Sequence, residues 1–264
     1  MRQMLKLIAS DIDGTLIPYG GTGISRELFA LIPRLKEKGV LFCAASGRQL
    51  HSLRKLFAPV AEELIFLCEN GAAVYGAGPE GQCPLLCKTP MPRTEAEALS
   101  RDIMALEDCE VMISGANTSY LAPRHTWFPH LLEERTGNRI ALVRDPSQVP
   151  EDILKVSVYC PQGPKAAKTA LEGRWSGQFR MAVAGPDWLD FTLADKGRGL
   201  SELCGTLQIR PEEVAAFGDN YNDVPMLEWA GTGYLMDTAA AELKARFPLQ
   251  CRSVEAVLER LLAE

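Results

Sequence analysis

Two aspartates, Asp11 and Asp13, stand one residue apart at the end of an apolar run (Leu5, Leu7, Ile8, Ala9) and lead into Gly14, Thr15 and Leu16. Asp has low strand propensity and its charge is costly to bury, so such a pair at the carboxyl end of an apolar strand reads as a site rather than as packing. Spaced by one residue, both can face the crevice where open α/β sheets bind ligands. A plain Asx-type turn, reversed at Asp13-Gly14 and closed by the Thr15 hydroxyl, is the alternative at this point. Three more polar loops follow apolar strands or open helices: Ser46-Gly47-Arg48, Asp195-Lys196-Gly197, and Gly218-Asp219-Asn220-Tyr221-Asn222-Asp223. Singly they read as a helix-opening turn, a solvated charge and a capping loop. Jointly they are loops that one sheet would gather.

The elements that must position these loops follow from the hydrophobic pattern. Residues 4–11 read as a strand, 25–38 as a helix stopped by Gly39, 40–45 as a buried strand, 49–57 as a helix and 64–68 as a third strand. That is βαβαβ, the pattern of a parallel sheet with helices on both faces. Gly76, Gly78, Pro79, Gly81 and Pro84 make 75–92 loop-rich, and a domain boundary is expected there. The middle third alternates helical patterns (93–106, 126–136, 164–175) with strand-like runs (110–114, 139–143, 154–159, 179–184), an α+β insert. A helix at 195–204, a strand at 214–217, a helix at 224–230, a run at 233–236 and a last helix at 254–262 then resume the first pattern. The fold class expected is α/β: a doubly wound, Rossmann-like parallel-sheet core domain (1–82 and 188–264) with an inserted α+β cap domain (83–187).

Composition narrows the function classes. The 264 residues are 47% hydrophobic, enough for a sizeable core, and the net charge of -6 argues against a general nucleic-acid or anionic-membrane surface. No run approaches the roughly 18 apolar residues of a membrane span, and Asp11 interrupts the apolar start too early for a secretory signal, so a cytoplasmic protein is expected. Eight scattered cysteines then read as reduced core residues; Cys83 and Cys87 lack a second Cys/His pair with zinc-like spacing. His125 and His130, five apart, share no helical face and read as surface or packing residues. Trp127, Trp175 and Trp188 read as core rather than as a pocket lining, and Pro18-Tyr19-Gly20-Gly21 as a connecting flap.

Together the loops resemble the haloacid dehalogenase superfamily of phosphatases, in the Cof-type branch whose large α/β cap is inserted between the second and third motifs. The resemblance spans essentially the whole chain. Asp11-Ile12-Asp13-Gly14-Thr15-Leu16 is similar to the family's nucleophile loop, Ala45-Ser46-Gly47-Arg48 to its phosphate-binding serine, Asp195-Lys196-Gly197 to its lysine and Gly218 to Asp223 to its acidic loop. Glu69-Asn70-Gly71-Ala72 is similar to the branch's own signature ahead of the cap. The resemblance implies Mg2+ held by the side chains of Asp11 and Asp219 and the backbone carbonyl of Asp13, with Asn222 and Asp223 orienting ligands and waters from behind and direct ligation by Asp223 left open. It implies nucleophilic attack by Asp11, acid–base work by Asp13, and a phosphoryl cradle of Thr15, Ser46, Gly47 and Lys196. Arg48 is expected either to anchor loops or to touch substrate, and Asn70 to face the cap or substrate.

The expected partner is a small phosphorylated metabolite, sugar phosphates first, with selectivity residing in the cap. A phosphosugar mutase of the same superfamily and a non-catalytic phosphometabolite sensor are the alternatives. A signalling receiver domain is shorter and lacks an acid–base group in the place of Asp13. A P-type ATPase has Lys-Thr-Gly after its nucleophile, whereas Ile12 follows Asp11.

Overall fold

The structure is a computed structural model that describes residues 4–263; residues 1–3 and 264, which the expected core segments include, lie outside it. In chain order it contains β1 (Leu7–Asp11), α1 (Arg26–Glu37), β2 (Leu41–Ala45), α2 (Leu50–Leu56), β3 (Ile65–Cys68), β4 (Ala73–Tyr75) and β5 (Leu85–Lys88). Then follow α3 (Arg93–Met104), β6 (Glu110–Ser114), β7 (Ser119–Leu121), α4 (Trp127–Thr136), β8 (Ile140–Leu142), β9 (Lys155–Tyr159), α5 (Lys165–Trp175), β10 (Arg180–Val183) and β11 (Trp188–Thr192). The chain ends with α6 (Lys196–Leu207), β12 (Val214–Gly218), α7 (Val224–Trp229), β13 (Thr232–Met236), α8 (Ala241–Arg246), β14 (Gln250–Cys251) and α9 (Val254–Ala263). Over the described residues two compact units divide it: 4–48 with Leu53–Cys87 and 195–263, and Gln49–Ser52 with Lys88–Ala194.

The first unit is built on a sheet of order β14-β13-β12-β1-β2-β3-β4-β5. Strands β14 through β3 in that order run parallel, and β4 turns back antiparallel to β3. Leu7 and Ala9 of β1 pack on one face with Leu200 and Leu203 of α6 and Met226 and Leu227 of α7. On the other face Phe66 of β3 meets Phe57, which meets Phe29 of α1, with ring centroids 6.2 and 6.4 Å apart. Both faces are thus covered by helices, and β1 and β2 are apolar nearly throughout, as parallel strands buried on both sides must be. Helix α1 starts where Ser25 accepts a hydrogen bond from Leu28 N at 3.1 Å, and it buries Leu28, Leu31, Ile32 and Leu35, an i, i+3, i+4, i+7 stripe.

Chain order runs outward from β1 through β2 and β3 on one side and outward from β12 through β13 and β14 on the other. The reversal falls between β1 and β12, so their carboxyl ends open the crevice where such sheets place ligands. Asp11 ends β1, Gly218 ends β12 one residue before Asp219, and Ala45 ends β2 one residue before Ser46.

The second unit has its own sheet, order β10-β11-β9-β6-β7-β8, antiparallel except for the β7–β8 pair. Alternation sorts its faces: Val111, Ile113, Val156 and Val158 join Leu99 of α3 and Leu171 of α5 in one core, while Met112 and Tyr159 join Phe128 and Leu132 of α4 in another. Trp175 is a core residue at 1% exposure, as expected, but Trp127 is 43% exposed, because α4 turns it outward against His125. All eight cysteines are unpaired thiols, six buried and two, Cys83 and Cys87, half-buried.

Candidate active site

Asp11 reaches the crevice as the last residue of β1 and is only 6% exposed. One of its oxygens, Oδ1, accepts a short hydrogen bond from Lys196 Nζ; the other, Oδ2, is buried and has no hydrogen-bond partner. Lys196, fully buried, is the first residue of α6, whose end is fixed by the Asp195 side chain accepting from Arg198 N at 2.8 Å. A second anchor is Gly71, at φ +97: a Cβ there would lie 2.3 Å from the Asp195 carbonyl oxygen, so the Glu69–Gly71 turn closes on the start of α6 only because this residue is glycine.

The same ammonium donates to Asp223 Oδ1 at 2.6 Å. Asp223 Oδ2 accepts from the backbone N–H groups of Asp219 and Asn220, both at 3.0 Å, so this fully buried carboxylate shapes the loop after β12 from within. Burial alone would push the Lys196 ammonium down; the Asp11 and Asp223 carboxylates outweigh that and hold it above its ordinary value. Burial pushes the Asp11 carboxyl up to about 8, against the pull of Lys196, with Asp223 and Asp219 adding to the rise.

Asp219, 4% exposed, is held differently. Its Oδ1 accepts from Thr15 Oγ1 at 3.0 Å and its Oδ2 from the Tyr19 hydroxyl at 2.6 Å, both neutral donors. The chain passes close beneath it at Gly14, where φ is +99 and an added Cβ would come within 2.3 Å of Asp219 Oδ2. Tyr19 is the site residue that sequence reasoning missed; its flap carries no local signature of the contact, because the partner is 200 positions away.

Asp13 stands outside this buried group. Ile17 N and Thr15 N bond to the Ile12 carbonyl and Gly14 N to that of Ile17, a tight loop that turns the exposed Asp13 outward. There Arg48 grips it with both arms of its guanidinium, Nε to Oδ2 at 3.1 Å and a terminal nitrogen to Oδ1 at 2.8 Å. Ser46, 3% exposed, caps the turn after β2 by accepting Arg48 N at 3.2 Å, and its carbonyl accepts Asn70 N at 2.9 Å. Gly47 leaves room for the Asn70 amide: a Cβ at 47 would sit 3.1 Å from Asn70 Nδ2. Asn222 is linked to the same residue, its Nδ2 lying 3.5 Å from Asn70 Oδ1.

Carboxylate oxygens of Asp11, Asp219 and Asp223 lie within 4.8 Å of one another. Fully ionised, three carboxylates against the one ammonium of Lys196 leave two formal negative charges in a buried place, an arrangement that is costly until neutralised. Hard oxygen donors, the unpartnered Asp11 Oδ2 and an Asp219 that, among the described residues, has no cationic partner all fit a hard divalent cation. Asp223, with both oxygens already engaged by the chain, fits a supporting place behind the other two.

Residues 8–257 match the family profile described as haloacid dehalogenase-like hydrolase. The chain is 27% identical, over 91% of its length and 88% of the relative's, to the 5-amino-6-(5-phospho-D-ribitylamino)uracil phosphatase of Escherichia coli. It is 26% identical, over 91% of each chain, to the pyridoxal phosphate phosphatase of the same organism. A crystal structure from Eubacterium rectale superposes with a TM-score of 0.86 at 31% identity, covering 97% of this chain and 99% of that one.

Proposed function

Because this chain belongs to the haloacid dehalogenase-like hydrolases, we propose that it is a Mg2+-dependent phosphatase that cleaves small, soluble phosphomonoesters through an aspartyl phosphate on Asp11. The observation that carries this reading is the buried Asp11 oxygen without a partner, set among Lys196, Asp219 and Asp223 at the switch point of the sheet. The side chains of Asp11 and Asp219, with the backbone carbonyl of Asp13, would hold the cation, and Asn222 and Asp223 would orient the group from behind. Bound there, Mg2+ would offset negative charge on the attacking carboxylate and the phosphoryl oxygens.

The rest is the work of the chain. An oxygen of the Asp11 carboxylate forms a bond to phosphorus as the bond to the leaving oxygen breaks, which divides hydrolysis into two easier displacements. Asp13 gives its proton to the leaving oxygen and later takes one from the water that attacks the aspartyl phosphate, help worth roughly 100- to 10,000-fold. Lys196, Ser46 and the loop from Gly14 to Thr15, with Gly47 allowing close approach, hold the phosphoryl oxygens; fixed donors of this kind dominate phosphoryl transfer. Until that proton transfer the Arg48 fork holds Asp13 in place.

In this reading residues 83–187 are the cap insert, and the enzyme acts in the cytoplasm, which fits eight unpaired cysteines and the lack, among the described residues, of a helix long and apolar enough to cross a membrane. Sugar phosphates rank first as substrates on the family resemblance, and the names of the relatives add a phosphoribitylamino-pyrimidine and pyridoxal phosphate to the compounds to try. The test is phosphate release from a panel of such compounds, with and without Mg2+, by wild type and Asp11→Asn. Metal-dependent turnover lost in the variant supports the proposal. Turnover that requires a sugar bisphosphate activator would replace it with a mutase, and phosphate binding without turnover on any compound would replace it with a sensor.

A further inference from the structure

The flap after the nucleophile loop has a feature that a connector does not need. Residues 18–23 are exposed, and Tyr19 is 70% exposed overall, yet its hydroxyl enters the buried cluster and donates to Asp219 Oδ2 at 2.6 Å. Among the described residues this is the side-chain hydrogen bond that ties the stretch 18–23 to the site, while the bond from Gly21 N to the Pro18 carbonyl is internal to the stretch.

The place of Asp219 in the cluster gives that bond its meaning. Lys196 pairs with both Asp11 and Asp223, whereas among the described residues the Asp219 carboxylate is held by two hydroxyls, those of Thr15 and Tyr19, with Gly14 leaving it room beneath. A carboxylate that rotates freely presents its oxygens to a cation for part of the time and loses conformational freedom on binding. One clamped by a hydroxyl at each oxygen is oriented beforehand. Each oxygen keeps lone pairs beyond the one each hydroxyl uses, so the clamp and a cation can share the carboxylate.

We propose that Tyr19 is a positioning residue for the cation: its hydroxyl orients Asp219 for metal binding and thereby couples the order of the 18–23 flap to occupancy of the metal site. The proposal rests on the reading of Asp11 and Asp219 as cation ligands. Coupling is reciprocal, so the cation also holds the flap.

The experiment uses the full chain and two ions. Tb3+ emission under tyrosine excitation reports an aromatic ring beside the bound ion, and calorimetric titration with Mg2+ gives the affinity. Wild type is expected to sensitise Tb3+ emission that Mg2+ displaces. Tyr19→Phe, which keeps the ring and loses only the hydroxyl, is expected to bind Mg2+ roughly 10-fold more weakly, the effect usual for a lost partner of a metal ligand. Hydrogen exchange of 18–23 is expected to slow on Mg2+ addition in wild type and to change little in the variant. Wild-type Mg2+ affinity in Tyr19→Phe overturns the proposal. The control is Asp219→Asn: if it abolishes Mg2+ binding while Tyr19→Phe has no effect, only the role of Tyr19 fails, and if it binds Mg2+ as wild type does, the cation reading fails as well.

Discussion

Arg48 occupies both oxygens of Asp13, and the two residues are half-exposed, with side-chain exposures of 39% and 55%. Exposed pairs contribute little to stability, so the fork matters for where it holds Asp13 rather than for how tightly the chain folds. In the proposed reaction Arg48→Ala leaves Asp13 free to swing, and kcat is expected to fall by on the order of 10-fold, part of what acid–base help supplies, with KM nearly unchanged. Steady-state kinetics decide it: a raised KM with an unaltered kcat would place Arg48 on the substrate instead. Gly14 allows a sharper test. Gly14→Ala forces a methyl to within 2.3 Å of Asp219 Oδ2 at a φ of +99, so a stability loss of about 1–3 kcal/mol in urea unfolding is expected, together with weakened cation binding. Wild-type stability with intact binding would mean that the loop yields at no cost. Asp11, Asp219 and Lys196 were legible in the sequence because charge at the end of an apolar strand or the start of a helix is expensive unless it is used. Tyr19 was not, since an aromatic residue in a glycine-rich stretch has no such local cost, and the pairing of Arg48 with Asp13 depends on side-chain directions that spacing does not encode.

The elements that set the loops were legible where they were long and apolar. Strands β1, β2, β3 and β12 are nearly continuous apolar runs, and α1 and α9 carry clear helical stripes. What escaped was short or polar. Strands β4 and β7 have three residues each and β14 two, and β5 lies in the glycine- and proline-rich segment read as a loop. Strand β11 carries Asp190 and Thr192, which interrupt its apolar pattern; across the ladder Ser157 Oγ donates to Asp190 Oδ1 at 2.6 Å, so a neighbour strand supplies the missing compatibility. The start of β12 is set by a polar device with its own pH signature. Glu213 accepts Arg210 N at 2.9 Å and pairs with Lys6 at 3.0 Å, and these, the backbone bond first, draw its carboxyl from 4.5 down to about 2. A carboxyl lowered on folding stabilises the fold above its unfolded value and loses that contribution as pH falls through the folded one. Glu213→Gln should therefore unfold at lower temperature than wild type at pH 7, with the gap closing between pH 4.5 and about 2. A gap that stayed constant across that range would assign the effect to shape rather than charge.

At the scale of the whole molecule, the doubly wound first unit and the mixed α+β second unit agree with the layer pattern read from the sequence, because alternating β and α segments leave few ways to cover both faces of a sheet. Each unit has its own apolar core, and Trp175 anchors that of the second: it is 1% exposed, stacks on Phe179 at 5.9 Å and donates to Asp102 Oδ2 at 2.9 Å. Trp175→Ala is expected to cost about 3–5 kcal/mol, read as lost hydrogen-exchange protection in β6, β9 and β11 while β1, β2 and β12 keep theirs. Equal loss in both sets would mean that the chain unfolds as one cooperative block. The sheet of the first unit also sets a timetable for its own synthesis. Leu7 of β1 pairs with Val214 of β12, so at ~5–20 residues per second the ribosome releases the partner roughly 10–40 s after β1 has emerged. During that interval the second unit, nearly all of it contiguous in sequence, is complete and able to fold, while the strand that carries Asp11 waits with one bare edge. The nascent chain is therefore most exposed to mispairing, and most in need of a holding chaperone, at the strand that carries its reactive carboxylate.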